Sequence, residues 1–467
     1  MRRMVPLTLV LIMVLVAALA GAASAAARAA EGWQRATVSG ATADLQFGAV
    51  SMCDETVGLA VGEIEESGPV SLIPTIFRSA DGGATWATVT DEQIYGQLVG
   101  VAFSDAQHAW VVGADYGTGD RQAPLMLASA DGGQTWQRVA LSGDDGLLAV
   151  QFPTASTGYA TGDGGVLYAT SDGGATWVKG IAAAKDVSLS GLSFTDVTHG
   201  WACGAQGNED WYGGRCYATA DGGAIWKDVS PDPQEVVLDC SFLPGGEGWV
   251  VGHDGAIFHT ADGGATWARQ SAALGRAVEL AGVAFVDAQN GWVTGMCWPL
   301  DFGGSGWAVI LHTVDGGQTW TQQECGVVPS TQSVSALDAT SAWAAGNEGL
   351  VIRTSDGGGA GFTPSARPVT RALNAPRVRE GSVATFRFKV TDPGVPRARV
   401  VVLIYDAGRK LKKTVVAGFR PTGSLEKHGL RLTLPAGRYT WKVVCTDYAG
   451  RTQAKAGSST LTMLPAR

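Results

Sequence analysis

The chain has 467 residues, of which 16% are charged, with 65 Gly, 16 Trp and a formal net charge of −9. That many aromatic residues exclude a disordered chain, and the length exceeds one small domain. The charge is split: from Ser365 onward there are 20 Lys and Arg against 5 Asp and Glu, and before it 14 against 38, so two domains of opposite sign are expected to join near residue 365.

The chain begins "MRRMVPLTLVLIMVLVAALAGAASAAARAA". Two arginines, an apolar run and then small residues form the layout of a secretory signal peptide over residues 1–27, with an uncleaved membrane anchor as the alternative. The protein is therefore expected to be secreted or extracytoplasmic, with association to the cell surface as one form of this. Seven cysteines fit an oxidising compartment, and at least one of them stays outside any internal pair. No two form C-x-x-C, which gives no support to a zinc site or a thioredoxin-like centre.

From residue 78 a nine-residue box recurs: "RSADGGATW" (78–86), "ASADGGQTW" (128–136), "ATSDGGATW" (169–177), "ATADGGAIW" (218–226), "HTADGGATW" (259–267), "HTVDGGQTW" (312–320) and the damaged "RTSDGGGAGF" (353–362). The box aspartates, at 81, 131, 172, 221, 262, 315 and 356, stand 41 to 53 residues apart, the period of four-stranded propeller blades. Ahead of each box lies a strand such as "GYATG" (158–162) or "GWVVG" (248–252), and ten residues before its last glycine a large apolar residue: Met52, Phe103, Phe152, Phe194, Phe242 or Phe285. In the seventh unit Leu337 comes one residue late. Each unit thus reads as strands A to D, with the box at the C–D turn. The last box lacks its "TW", while "WQRATVSG" (33–40) resembles the strand D at "WQRVALSG" (136–143). The N-terminal strand is therefore expected to supply the outer strand of blade seven and close the ring.

Within the box, Asp can bond the amides of its own turn, the glycines supply backbone angles denied to other residues, and Trp anchors strand D. Seven equal copies around a rim suit scaffolding better than catalysis, and one Asp per turn is too few oxygens for calcium. The boxes resemble the Asp-box, or BNR, repeats of sialidases, sortilin-type receptors and xyloglucan-cleaving propellers. Their pairing with "GW-x-x-G" strands is most similar to propellers of the photosystem II assembly-factor type. The resemblance spans residues 32–362 and implies a seven-bladed β-propeller whose boxes are structural.

The expected candidate site lies on the opposite face. From the last glycine of strand B to the box Asp there are 10 residues in blades three, five and seven, but 19, 18, 17 and 20 in blades one, two, four and six. Insertions gathered on one face of a repeat fold mark a binding surface. They carry the acids Glu63, Glu65, Glu66, Asp115, Asp120, Glu209, Asp210 and Asp301 and the aromatics Tyr116, Trp211, Tyr212, Trp298, Phe302 and Trp307. Stacking planes beside carboxylates suit a sugar or a basic protein partner; the alternative is that the aromatics cover their own loops. The ligand-binding set is taken as Asp115, Tyr116, Asp210, Trp211, Tyr212, Trp298, Asp301, Phe302 and Trp307. Disulfides Cys203–Cys216 and Cys297–Cys325 would tie the necks of two insertions.

No G-x-S-x-G, H-E-x-x-H or phosphate loop occurs, and the six histidines have no ligand spacing, so neither metal nor cofactor is expected. The Arg-Ile-Pro motif of sialidases is missing ahead of the first box. The reading is a secreted non-catalytic recognition protein for a glycan or a protein. The alternatives are a glycoside hydrolase working through Asp210 and Asp301, and an extracytoplasmic assembly factor for a protein complex. After a linker at 363–375, residues 376–467 alternate like a β-sandwich, and "PAGRYTWKVVCTDYAGR" (435–451) resembles the late strands of bacterial immunoglobulin-like and fibronectin-like modules. Its basic balance suggests docking to an anionic wall polymer, a membrane surface or its own acidic propeller; nucleic acid is not expected for an exported chain.

Overall fold

The computed structural model describes residues 32–466, apart from 66–71, 90–95, 117–121, 209–210, 276–277, 299–305, 326–328, 360, 363–366, 393–394 and 454. The expected signal segment 1–27 and Glu66, Asp120, Glu209, Asp210, Asp301 and Phe302 lie outside the described residues.

Alternating short strands separated by glycine turns build seven antiparallel sheets in which strand order follows the chain from A to D. In blade three, for example, the strands are Leu147–Gln151, Gly158–Gly162, Val166–Thr170 and Val178–Ile181. This is the seven-bladed propeller that the repeat period predicts. Closure also follows the expectation: Gln34–Arg35 pairs antiparallel with Leu350–Thr354, the strand C of blade seven. The N-terminal segment then repairs the broken box. The Gly32 amide donates to Asp356 Oδ2 at 3.1 Å, and Trp33 is buried beside Trp292, where the other boxes put their own Trp. Just beyond, Thr37–Val38 pairs in parallel with Thr85–Thr88 of blade one, so one segment staples both sides of the seam.

Each box is a hydrogen-bonded knot. In the first, Ser79 Oγ donates to Asp81 Oδ1 (2.9 Å), and the Gly83 amide donates to Ser79 Oγ (2.8 Å). The Thr85 amide and hydroxyl donate to the two Asp81 oxygens at 2.9 and 2.7 Å. Both glycines of every box have φ between 70° and 92°, the left-handed region that glycine occupies without steric cost. The box also latches to its neighbour: Trp343, Trp201 and Trp249 of strands B donate their indole N–H to box carbonyls of the next blade, Gly82, Gly263 and Gly316.

The apolar interior is a ladder of rings between blades. The strand-A Phe stacks on the strand-B aromatic of the preceding blade and meets the box Trp of its own blade edge-on. Trp249–Phe285 has centroids 3.5 Å apart and Phe285–Trp320 5.9 Å at 89°; Tyr159–Phe194–Trp226 repeats the pattern. Such ring geometry adds to plain area burial. It also explains the strand-B glycines. A Cβ on Gly158 would lie 2.4 Å from the Phe152 ring, and one on Gly162 would lie 2.0 Å from the Gly146 carbonyl oxygen. The first glycine admits the ring; the second admits strand A.

Beyond the propeller, two sheets form a sandwich. One holds Val369–Ala372, Val383–Thr391 and Leu425–Arg431; the other has five strands, including Arg397–Tyr405 and Gly437–Asp447. Phe386, Phe388 and Trp441 fill the space between them. Val369–Ala372 lies within the stretch expected to be linker, and it is hydrogen-bonded into the first sheet.

Candidate functional site

Every inner strand carries one bulge, at Gly48, Val99, Leu148, Ser190, Leu238, Ala281 and Gln332. A bulge leaves one residue unpaired and coils the strand. All seven unpaired residues line a central channel of about 490 Å³. Among its lining residues Asp239 replaces the small residue that follows the bulge in the other blades. Its carboxylate accepts the Cys240 and Val283 amides at 2.9 Å each. Desolvation by burial nevertheless pushes its carboxyl up to about 7, above the usual carboxylate range.

The insertions emerge at one mouth of this channel. The boxes bond instead to the A–B turns: the Gly82, Gly132 and Gly173 amides donate to the carbonyls of Thr56, Gln107 and Ser156. The tight B–C turns pack on D–A connections, as where the Ala182 amide reaches the Gly165 carbonyl. Boxes and insertions are thus on opposite faces. The described parts of the insertions are prolonged strands rather than free loops. In blade four, Gly200–Asn208 and Trp211–Thr219 remain paired to the last register position, Asn208 with Trp211.

Polar side chains from blades one to three converge at that mouth. Gln97 Nε2 donates to Glu63 Oε1 at 3.0 Å, and the Tyr116 hydroxyl donates to Gln97 Oε1 at 3.1 Å. Glu63 is 8% exposed and lines the channel, and burial raises its carboxyl to about 7. Burial and then the charges of Glu63 and Asp163 raise the Tyr116 phenol. Ser188 Oγ donates to Asp163 Oδ1 at 2.6 Å, and His253 Nε2 lies 3.5 Å from Glu279 Oε2. The rim is acidic and rich in hydrogen-bonding groups, with Gln46 and Asn347 bridged across the ring closure. Among the described residues no group of three or more metal-binding side chains occurs.

Several sequence expectations are redistributed by the C-terminal module, which docks on this face over blades five and six. Trp307, expected to meet a ligand, is 1% exposed. Its indole donates to the Tyr448 carbonyl at 3.1 Å and its ring meets Phe419 edge-on. Gln322 Nε2 donates to the same carbonyl at 2.9 Å, and the Gly275 amide donates to the Ala449 carbonyl. Trp307 is therefore an interdomain anchor. Asp115 is paired with Arg138 of its own blade, which neutralises the charge offered to a ligand. Tyr116 joins the mouth relay, and Trp298 is 46% exposed in a cleft with Gln46 and Asn347. Trp211 and Tyr212 stand at the tip of the blade-four hairpin.

Neither expected disulfide is present; all seven cysteines are reduced, outside any disulfide. Cys203 and Cys216 are register partners, but the Cys203 thiol is hydrogen-bonded with Cys240 of the next blade. Cys325 Sγ lies 3.4 Å from the Tyr448 hydroxyl, and Gly450 of the module packs against Cys297. The docked module thus engages both thiols of the second expected pair.

Two sets of residues escaped the sequence reading. One is the channel set Gln97, Asp239 and Glu279 of strands A, with Asp163 in the tight B–C turn of blade three, none of them in an insertion. The other is a row of A–B turn aspartates. Asp54, Asp105, Asp196, Asp287 and Asp338 accept the amides two and three residues on, as in Thr56 and Val57 to Asp54 Oδ1. The Asp that recurs a few residues before strand B in five of the seven units was their available signal.

The fold and its knots define a seven-bladed propeller of the BNR, or Asp-box, type. Residues 218–384 match the family model described as photosynthesis system II assembly factor YCF48. Two solved structures are similar. "YCF48 bound to D1 peptide" is 20% identical with a TM-score of 0.51, covering 69% of this chain and 97% of that one. YCF48 from Cyanidioschyzon merolae is 16% identical with a TM-score of 0.50, covering 69% and 98%. No curated protein matches. The chain is thus a seven-bladed propeller built on BNR-type boxes, and over residues 218–384 it is similar to the photosystem II assembly-factor family.

Proposed function

We propose that this chain is a non-catalytic, extracytoplasmic assembly factor that holds an extended segment of a protein partner at the insertion-face mouth of the channel. The observation that carries this reading is the mouth itself: Glu63, Gln97 and Tyr116 form a relay from a buried carboxyl to a half-buried phenol beside an open polar channel, on the side that the docked module leaves free. Carboxylate and carboxamide oxygens accept backbone N–H groups, and the carboxamide N–H donates to carbonyls, which suits an extended peptide. The match to the assembly-factor family and the peptide named with one solved neighbour support a protein ligand over a sugar.

A glycan reading keeps one specific support, the half-exposed Trp298 beside Gln46 and Asn347, where a ring face and two carboxamides could hold a sugar. Panning a displayed peptide library and probing a glycan array with the same protein separates the two. The expected result is a selected peptide family whose affinity falls about tenfold in Gln97→Ala and Tyr116→Ala. Glycan hits without peptide selection, or peptides indifferent to both substitutions, would overturn the proposal.

A further inference from the structure

The outer face of the three-stranded sheet in the C-terminal module has an unusual composition. Cross-strand partners in a sheet share a face, and the register sets Arg371 opposite Lys389, Lys389 opposite Leu425, Arg387 opposite Lys427 and Val383 opposite Arg431. All of these are exposed, whereas the alternate residues Ala384, Phe386, Phe388 and Val390 are fully buried in the sandwich. Five cations thus stand on one flat surface that carries no carboxylate. None of the five is in an ion pair among the described residues. Like charges directly opposite one another weaken a sheet, so the arrangement costs folding stability.

The same face carries exposed aliphatic side chains: Val369 at 46%, Leu373 at 43%, Val383 at 54% and Leu425 at 55%. A solvated basic face has no use for them. A soluble polyanion would be held by the cations alone. Lys and Arg interleaved with Val and Leu match the interface of an anionic bilayer, where cations meet phosphates and apolar side chains enter the acyl boundary. The neighbouring loop carries Val395 into the propeller interface, so the sheet face stays open with the module docked.

We infer that this sheet face, built on Arg371, Arg387, Lys389, Lys427 and Arg431 with Val383 and Leu425, docks the protein onto an anionic lipid surface. Because Trp307 and Tyr448 hold the module to blade six, docking would also set the orientation of the channel mouth above the membrane.

The test uses the chain from residue 32 onward, which holds every described strand. Its binding is measured to vesicles with roughly one-third phosphatidylglycerol in phosphatidylcholine, and to phosphatidylcholine alone. Binding is expected only to the anionic vesicles at about 50 mM salt and is expected to be lost near 0.5 M, where the screening length falls to a few ångströms. The Arg387→Gln/Lys427→Gln variant should bind at least tenfold more weakly. Val383→Ser/Leu425→Ser should lose several-fold on vesicles while leaving binding to soluble inorganic polyphosphate unchanged. These surface positions leave the core intact, and thermal melting of each variant checks this. Absence of vesicle binding at low salt, or binding unchanged in the charge variant, would overturn the proposal. An aliphatic variant that binds vesicles as the wild type does would also overturn it, and would assign the face to a polyanionic chain instead.

Discussion

At the residue scale, the acidic side chains divide into two groups with opposite consequences for pH. Box aspartates such as Asp172 are held down to about 2 by the hydroxyl and amide of Thr176 and the hydroxyl of Thr170. Their folded state prefers the charged form, so their contribution is present above about pH 4 and is lost as pH falls toward 2. Glu63 is the reverse. Burial raises it to about 7, so the folded state retains a proton that the unfolded chain releases near pH 4.5. Stability then declines as pH rises between those values. Melting temperature is therefore expected to peak on the acid side of neutrality. Glu63→Gln, which keeps the oxygen that accepts from Gln97, should raise stability at pH 8 by about 1 kcal/mol or more and change little at pH 4. Denaturant titrations at the two pH values check this; equal effects at both would remove the buried carboxyl as the cause. Asp356 is a box aspartate with a further duty, because it accepts the Gly32 amide across the chain ends. Asp356→Ala should cost about 1–2 kcal/mol and expose Trp33, seen as a red-shifted fluorescence component in the native baseline.

At the element scale, a blade is specified by where its strands must touch. The strand-B glycines are the sharpest case. Gly248 lies under the Phe242 ring, and a Cβ there would approach it to 2.1 Å. Gly248→Ala should therefore destabilise by about 1–3 kcal/mol through overpacking, read as a lower denaturation midpoint with an unchanged slope. The same logic decides how much was legible in the sequence. Repeats of a large apolar residue, a Gly-aromatic strand and Asp-Gly-Gly made strand order, blade number and ring closure legible, because these positions answer contacts that recur around the ring. The bulges were not legible: a residue such as Ala281 or Leu238 differs in no sequence feature from its paired neighbours, and only the pairing register reveals it. The mouth was partly legible. Tyr116 was reached through the length of its insertion, but its partner Gln97 lies in another strand, and no spacing rule links the two. Trp307 was misread for a related reason. It lies in an insertion rich in exposed-looking aromatics, and its partner Tyr448 is 141 residues away in a different domain.

At the scale of the whole molecule, the question is whether the propeller and the module behave as one body. Tyr448 is the aromatic plug of the interface. Tyr448 is 2% exposed; its carbonyl accepts from both Trp307 and Gln322, its ring meets Phe419 and Phe362, and its hydroxyl lies beside the Cys325 thiol. Burial of the thiol raises Cys325 to about 11, so at neutral pH it stays protonated and presents no charge to the tyrosine ring. Around this plug, Arg397 pairs with Glu324 at 3.4 Å at the rim, where half-exposed ions contribute little. The plug therefore dominates. Tyr448→Ala should remove about 3–5 kcal/mol of packing from the contact while leaving the sandwich core intact, since the ring lies outside that core and packs instead into the blade-five and blade-six cluster around Trp307. The expected outcome is separation of one calorimetric transition into two, with a larger radius of gyration in small-angle scattering. Arg397→Ala should leave both measurements unchanged. If Tyr448→Ala instead lowers a single transition without expanding the particle, the two domains are held by the chain connection and the remaining loop contacts, and the module cannot orient the channel mouth.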